Sequence, residues 1–193
     1  MTTERTKNAW RGVYDWLQTV ICVVVVVVLL FTFVGRLSRV DGSSMRETLQ
    51  DQDLLLVLNN DLCGSYEPGD IVIAQRPDFN GGAPIVKRVI ATEGQTVDID
   101  FAAGVVYVDG QALEEPYTRE PTWVEEGTEF PLTVPEGCVF LMGDNRNRSE
   151  DSRSSDLGPV DTRWLLGKAV FLALPGPTAD LGEREWSRIG VLH

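Results

Sequence analysis

An uncharged apolar stretch near the N-terminus is the feature that most constrains this chain. No residue between Asp15 and Arg36 carries a charge, and the 20 residues of this window, WLQTVICVVVVVVLLFTFVG, include a run of valines. A helix of that length, at about 1.5 Å per residue, matches the ~30 Å hydrocarbon core of a bilayer. A buried strand is a poor alternative, because strands usually contain ~4–8 residues. The sequence therefore predicts a transmembrane helix over residues 16–35.

A cleavable leader is the stronger alternative to a retained anchor. Such a leader has an apolar region of ~7–15 residues followed by a small-residue cleavage site of the A-x-A type. No alanine occurs between Ala9 and Ala74, which favours an anchor. Three basic residues precede the window and two follow it closely, which weakly favours a cytoplasmic N-terminus. We therefore expect a cytoplasmic tail at 1–15, an anchor at 16–35 in the cell membrane, and one extracytoplasmic domain at 36–193.

The charge of this larger segment excludes one class of partner. The chain has a net charge of −12, and because residues 1–35 are slightly basic, the acidic excess lies entirely in residues 36–193. Nucleic-acid affinity comes mainly from lysine and arginine side chains on phosphates, so we expect no DNA or RNA binding. The sequence also has no CxxC motif and no cluster of cysteine and histidine, so we expect neither a metal nor a cofactor. Cys63 and Cys138 leave one disulfide bond open as an alternative to two free thiols.

The segment after the anchor has the pattern of a mainly β fold. Short apolar runs alternate with turn signals, among them Asp109-Gly110, which is typical of a two-residue hairpin. This spacing predicts a β-barrel or sandwich, with a loop-rich insertion at about 111–135 that is marked by prolines and glutamates. The predicted strands cover residues 53–58, 70–74, 85–91, 96–100, 104–108, 138–142 and 168–174.

Two adjacent serines follow the anchor in the segment VDGSSMRETL, which raises the question of a nucleophile. A serine usually needs a histidine held by a carboxylate to take its proton. The only histidine of this chain is its last residue, His193, and a frayed terminus cannot hold a base within the ~2.6–3.2 Å that proton transfer needs. If Ser43 or Ser44 is a nucleophile, another residue must serve as its base.

A lysine can act as that base when burial lowers its pKa. Of the three lysines, Lys7 lies before the anchor, and Lys168 begins a late apolar run. Lys87 lies within APIVKRVIA, between apolar neighbours that suit a neutral amine. Periodicity alone leaves a solvated lysine on the open face of a strand as the alternative. Elimination thus favours Ser-Lys chemistry without establishing it.

Five ordered motifs carry a resemblance to a known family. They are GSSM with TL (42–45 and 48–49), GD (69–70), KRV (87–89), GQTV (94–97) and GDNRNRSEDSR (143–153). In these motifs the chain resembles bacterial type I signal peptidases of the single-anchor kind, from the anchor to about Phe171. The resemblance implies a signal-peptidase-like β domain behind one N-terminal transmembrane helix.

The resemblance also assigns roles to particular residues. Ser44 falls on the family's nucleophile, Lys87 on its general base, and Ser149 on the serine that hydrogen-bonds the lysine amine. The remaining positions that the resemblance assigns to support of the site are Gly42, Asp144, Arg146, Asp151 and Arg153. The chain departs from the family pattern at Gly42, where some members have a serine that serves as oxyanion donor. Another departure is Glu47, which replaces a proline and which we expect to point outward.

The function that the resemblance implies is removal of signal peptides from secreted preproteins, by cleavage after small residues. Ser44 follows Gly35 by nine residues, so at ~3.3 Å per residue it stays within roughly 30 Å of the membrane surface. Secretory preproteins, held at the lipid bilayer by their own apolar segments, are substrates for such a site. Two alternatives remain: a membrane-anchored β-domain without catalysis that acts as a binding or assembly module, and a Ser-Lys peptidase that cuts itself or one dedicated partner.

Overall fold

The chain has two units in its computed structural model, which describes residues 2–178 and 182–192. The units are Met1–Arg36 and Leu37–His193. His193, which the sequence argument sets aside as a base, lies outside the described residues.

The N-terminal unit is one long helix. Helix α1, Thr2–Leu29, continues as a π-helical turn, Leu30–Val34. The segment Tyr14–Val34 contains an 18-residue window with a mean hydropathy of 2.9, and it is long and apolar enough to cross a membrane. The hydroxyls of Thr19 and Thr32 donate hydrogen bonds to the carbonyl oxygens four residues earlier, which removes unpaired polar groups from this surface.

The larger unit is mainly β, as predicted. Its strands are β1 (Gly35–Arg39, which begins at the unit boundary), β2 (Leu54–Asn59), β3 (Ile71–Ala74), β4 (Ile85–Thr92), β5 (Thr96–Asp100), β6 (Val105–Val108), β7 (Gln111–Ala112), β8 (Leu132–Thr133), β9 (Cys138–Met142), β10 (Val160–Asp161), β11 (Leu165–Leu174) and β12 (Gly190–Val191). A short helix, α2 (Asn60–Cys63), follows β2. Each of the seven predicted strands is present, with bounds that differ by at most three residues.

The strands form two sheets. The larger has the order β1-β2-β11-β3-β4-β9-β10, with β12 paired to β11, and the smaller has the order β7-β6-β5-β8. The β6–β7 hairpin turns at Asp109 and Gly110, whose φ angles of 52° and 77° are those that a two-residue type I′ turn requires. Strands β7 and β8 lie inside the predicted insertion at 111–135, which therefore contributes both edges of the small sheet.

Three clusters of buried side chains form the core of the larger unit. Strand β3 is buried at all four residues, because it lies in the middle of the large sheet between β4 and β11. On β2 the buried residues Leu55 and Val57 alternate with less buried ones, as expected for a strand with one face toward the core. The three cysteines are free thiols, so Cys63 and Cys138 do not form the disulfide bond that the sequence left open.

Candidate active site

Ser44 lies on a tight loop between β1 and β2. Two backbone hydrogen bonds close this segment, 41–52, which we call the nucleophile loop: the N–H of Val40 donates to the carbonyl oxygen of Asp53, and the N–H of Gln52 donates to that of Val40. The side chains of Met45 and Leu49 are 1% and 0% exposed, and they fix the loop to the core beneath it. Ser44 itself is half-buried, so its hydroxyl is held by a packed loop while remaining accessible.

Lys87 enters the site from the middle of β4. Its Nζ lies 2.8 Å from Oγ of Ser44, which is hydrogen-bonding distance. The lysine is only 3% exposed, so the solvated lysine that periodicity allowed is wrong. Strand β4 lies between β3 and β9, and this central position surrounds the side chain with protein. The structure thus brings together the two residues that the sequence nominated as nucleophile and base.

Burial sets the protonation of Lys87. Removal from water disfavours the ammonium ion and lowers the pKa of Lys87 below its ordinary value of 10.5. The negative charges of Asp151, Glu126 and Glu150 oppose this effect, and the positive charge of Arg153 adds to it. The net result is a lowered pKa, which favours the neutral amine that a general base must provide.

The GDN motif that follows β9 packs against the nucleophile loop. The backbone N–H of Asn145 donates to the carbonyl oxygen of Ser44 at 2.9 Å, and its side-chain amide donates to that of Ser43 at 2.9 Å. At Gly143 a Cβ atom would lie 2.5 Å from the Ser44 carbonyl oxygen and 2.2 Å from Oγ of Ser149. Only glycine allows this approach of the two segments.

Asp151 is the centre of a buried polar network. Its carboxylate accepts hydrogen bonds from the Ser149 hydroxyl at 2.8 Å and from the Gly143 N–H at 2.9 Å. The Arg153 guanidinium donates to both carboxylate oxygens, and it also donates to the carbonyl oxygen of Ser149. The resemblance assigned the Ser149 hydroxyl to the lysine amine, whereas its hydrogen bond in the structure goes to Asp151. This network holds the segment beside Lys87 in one conformation.

A buried ion pair lies behind the site. Arg88 donates two hydrogen bonds to Asp144, at 2.9 and 2.8 Å, and a third to the carbonyl oxygen of Gly69 at 2.7 Å. Thr48 of the nucleophile loop donates to the same carboxylate. The ring of Tyr117 covers the guanidinium carbon at 4.1 Å. Because Arg88 directly follows the nominated base on β4, this pair ties the strand of the base to the loop of the nucleophile.

Arg146 connects the loop-rich insertion to the site. Its guanidinium pairs with the carboxylate of Glu115 and donates to the Thr122 hydroxyl at 3.1 Å and to the Gly143 carbonyl oxygen at 3.1 Å. Glu115 and Thr122 were not predicted from the sequence, because pairing over 24 to 31 residues has no local signal. Glu126 was missed as well; burial raises the pKa of its carboxyl.

The two departures from the family pattern have definite environments. The N–H of Gly42 donates to Oδ1 of Asp51 at 2.9 Å, so in this structure it is engaged within the loop. Glu47 points outward, as expected, with a side chain that is 57% exposed and 3.8 Å from Arg119.

Comparison with known proteins identifies the family of this chain. Residues 13–174 match the family model described as signal peptidase, peptidase S26. The chain is 34% identical to a signal peptidase I of Bacillus licheniformis over 91% of this chain and 96% of that protein. It is 32% identical to a probable signal peptidase I-1 of Synechocystis sp., over 95% of this chain and 90% of that protein.

Among solved structures, a signal peptidase I from Enterococcus faecalis V583 is 32% identical, with a TM-score of 0.44. The match covers 54% of this chain and 96% of that one. The family match extends over most of the chain, and the relatives are similar over nearly their whole length. This chain therefore belongs to the signal peptidase family, peptidase S26, and it is a serine endopeptidase that removes signal peptides.

Proposed function

We propose that the chain cleaves secretory preproteins with Ser44 as nucleophile and Lys87 as general base. The observation that carries this proposal is the 2.8 Å distance between Nζ of Lys87 and Oγ of Ser44. The lowered pKa of the buried lysine supports it, because only the neutral amine can accept the serine proton. A non-catalytic binding or assembly module, the alternative that the sequence left open, does not require a serine hydroxyl at hydrogen-bonding distance from a buried lysine amine.

The reaction then has two steps. In the first, Nζ of Lys87 takes the proton of Ser44, Oγ bonds to the scissile carbonyl carbon, and the lysine ammonium returns the proton to the leaving amine. In the second, Lys87 takes a proton from water, the hydroxide attacks the acyl-enzyme, and Ser44 regains a proton as the signal peptide leaves as an acid. The N–H of Ser44 supplies one donor for the oxyanion of each tetrahedral intermediate.

The remaining nominated residues support this pair through position. Asp151, Ser149 and Arg153 hold the segment beside Lys87, and the charges of Asp151 and Arg153 modulate the pKa of the lysine. Asp144 holds Thr48 and Arg88 at the two sides of the site. Gly42 allows the turn that precedes the two serines, because its φ of +96° is unfavourable for residues other than glycine. Arg146 holds the insertion against the GDN motif.

Substitution of the two serines tests the assignment. We expect Ser44→Ala to abolish cleavage of a model preprotein by the detergent-solubilised chain, while Ser43→Ala keeps most of it. Mapping the new N-terminus of the product identifies the cut and tests for a small residue before it. Loss of activity in Ser43→Ala with retention in Ser44→Ala would reassign the nucleophile.

We further propose that residues 1–15 are cytoplasmic, that 16–35 span the cell membrane once, and that 36–193 form the catalytic domain on the outer side. The apolar length of Tyr14–Val34 and the basic residues before it support this topology.

Cysteine labelling tests this topology in a background in which the three native cysteines are replaced by alanine. One new cysteine is then introduced at a time, as Glu136→Cys in the exposed part of the β unit or as Thr3→Cys before the span. The cells used must have no outer membrane or cell wall that blocks the reagent. In such intact cells a membrane-impermeant maleimide should label Glu136→Cys, and it should label Thr3→Cys only after the cells are lysed. The opposite pattern of labelling would invert the proposed orientation.

A further inference from the structure

The end of the chain folds back onto the catalytic unit. Strand β12 pairs with β11 through Phe171 and Val191, and the N–H of Leu192 donates to the carbonyl oxygen of Val170 at 3.1 Å. We call the described residues 182–192 the C-terminal strap. The strap lies beyond residue 174, where the family match ends.

One side chain of the strap reaches the loop that carries Ser44. Arg188 donates to both oxygens of Asp53, at 2.6 and 3.1 Å, and its Nη2 donates to the carbonyl oxygen of Thr48 at 3.2 Å. A bidentate pair of this kind fixes direction as well as distance. Arg188 therefore contacts the nucleophile loop at its end and at one point within it.

Asp53 is a buried junction of three segments. It is 0% exposed, and besides Arg188 it accepts hydrogen bonds from the N–H of Gln50 at 2.8 Å and from the N–H of Gly176 at 2.7 Å. At Gly176 a Cβ atom would lie 2.0 Å from the carbonyl oxygen of Asp51, so the chain after β11 passes directly over the loop. The guanidinium of Arg188 is the cation that this buried carboxylate pairs with.

A short path connects this junction to the catalytic pair. Thr48, whose carbonyl oxygen Arg188 holds, donates its hydroxyl hydrogen bond to Asp144. Asp144 in turn pairs with Arg88, the neighbour of Lys87. Thr48 is thus held from the strap on one side and from the strand of the base on the other.

We propose that Arg188 is a positioning residue that fixes the nucleophile loop through Asp53 and Thr48, and so keeps Ser44 within reach of Lys87. This inference rests on the proposed roles of Ser44 and Lys87. Removal of the guanidinium leaves Asp53 buried without its cation, and the loop then rearranges to hydrate the carboxylate. A displacement of about 1 Å at a reacting group costs roughly 10²-fold in rate.

The test uses the full chain in detergent and a soluble peptide that contains a cleavage site after small residues. We expect Arg188→Met to lower kcat by about 10- to 100-fold, with KM within about twofold of the wild type. Arg188→Lys keeps the charge but not the bidentate geometry, so its kcat should lie between that of the wild type and that of Arg188→Met. Arg184→Met is the matched control, because Arg184 lies in the same strap and donates to the carbonyl oxygen of Pro175.

Two further measurements separate positioning from a general loss of structure. Added guanidinium ion, well below denaturing concentration, should restore part of the kcat of Arg188→Ala and leave that of Arg184→Ala unchanged. The acid limb of the pH profile should keep its midpoint in Arg188→Met, because the lowered pKa of Lys87 comes mainly from its own burial, which this substitution on the strap leaves in place. Circular dichroism measures the folded fraction to which each kcat is normalised.

Three results would overturn the proposal. These are a wild-type kcat in both Arg188 variants, an equal loss in Arg184→Met, or a shifted acid limb in Arg188→Met. If Arg188→Met does not fold, Arg188→Lys is the test. A kcat below that of the wild type then supports the proposal, and a wild-type kcat overturns it. Activity of Ser44→Ala or Lys87→Arg in the same assay would refute the catalytic pair instead, so the two failures are distinguishable.

Discussion

Lys87 is a buried amine whose charged neighbours act on it in opposite directions. Burial is the largest influence and lowers its pKa, while the carboxylates of Asp151, Glu126 and Glu150 limit the shift. A general base needs two opposing influences. Desolvation keeps the amine neutral near working pH, and nearby negative charge helps the amine to accept the serine proton.

The pH dependence of cleavage follows from this lowered pKa. In the proposed mechanism the neutral amine of Lys87 is the active form, so kcat/KM should rise with pH through the lowered pKa and level off above it. Lys87→Arg keeps the charge but cannot release its proton, and should lose about 10³-fold or more in kcat. Steady-state rates on a soluble peptide from acid to alkaline pH test both statements. An acid limb below about pH 5, or an active Lys87→Arg, would point to a carboxylate base.

The same residue should make stability depend on pH. Between the lowered folded pKa and 10.5, the unfolded chain binds the lysine proton more readily than the folded one does. The contribution of Lys87 to the free energy of unfolding therefore rises with pH across that window. Urea titrations should show that Lys87→Met is more stable than the wild type below the window, with the difference shrinking toward its upper end. A difference that grows with pH would contradict the burial argument.

The buried pair of Arg88 and Asp144 gives a second prediction at the scale of the residue. Both side chains are almost completely buried, so Arg88→Met leaves a carboxylate without its cation and should cost about 3–5 kcal/mol of unfolding free energy. The surface pair of Arg163 and Asp161 is the control, because the Arg163 side chain is 86% exposed and Arg163→Met should leave the free energy of unfolding nearly unchanged. Urea denaturation measures both, and equal costs would show that burial does not decide the difference.

At the scale of the element, the site depends on how closely the GDN motif approaches the nucleophile loop. The distances at Gly143 leave no room for a Cβ, because backbone of Ser44 lies on one side and the side chain of Ser149 on the other. The same contact carries the Asn145 hydrogen bonds to Ser43 and Ser44. Close packing and these hydrogen bonds therefore join the loop to the motif.

Gly143→Ala should separate these two elements. We expect a loss of about 10²-fold in kcat, because the added methyl group displaces the carbonyl of Ser44 and with it the hydroxyl. Gly190→Ala on β12 is the control, since among the described residues a Cβ there meets no atom within 4 Å. Peptide cleavage and circular dichroism distinguish displacement from unfolding. A fully active Gly143→Ala would mean that the loop does not need this contact.

At the scale of the whole molecule, we propose separate roles for the helix and the β unit. The three buried clusters that form the core lie within Leu37–His193, and the proposed catalytic pair of Ser44 and Lys87 lies there too. The helical unit offers an exposed apolar surface suited to a bilayer. In this proposal the helix acts as an anchor that supplies local concentration at the membrane, while the β unit supplies the catalytic groups.

Removal of residues 1–35 tests this division. We expect the truncated chain to stay β-rich and to cut a soluble peptide at a rate close to that of the full chain. Its cleavage of a preprotein held in vesicles should fall by about 10²-fold or more, because the effective concentration at the bilayer is lost. Complete loss of peptide cleavage by a folded truncation would show that the helix contributes to the active site.

The sequence by itself determined the strands and the motifs of this protein. Hydrophobic periodicity is a local signal, because alternate side chains of a strand face the core, and β2 and β5 show this alternation. The segment Asp109-Gly110 was equally informative, since a two-residue hairpin requires positive φ angles. The ordered motifs nominated Ser44 and Lys87 before any geometry was known.

Only the tertiary structure decided how distant side chains pair. Ser149 bonds to Asp151, Arg146 pairs with Glu115, and Arg188 reaches Asp53, 135 residues away. Periodicity also could not establish that Lys87 is buried. Consecutive residues of β4 are buried on both faces, and the segments that cover these faces cannot be read from the sequence of the strand itself. Such pairs depend on which strands become neighbours, and that order is set by the free energy of the whole core rather than by local residues.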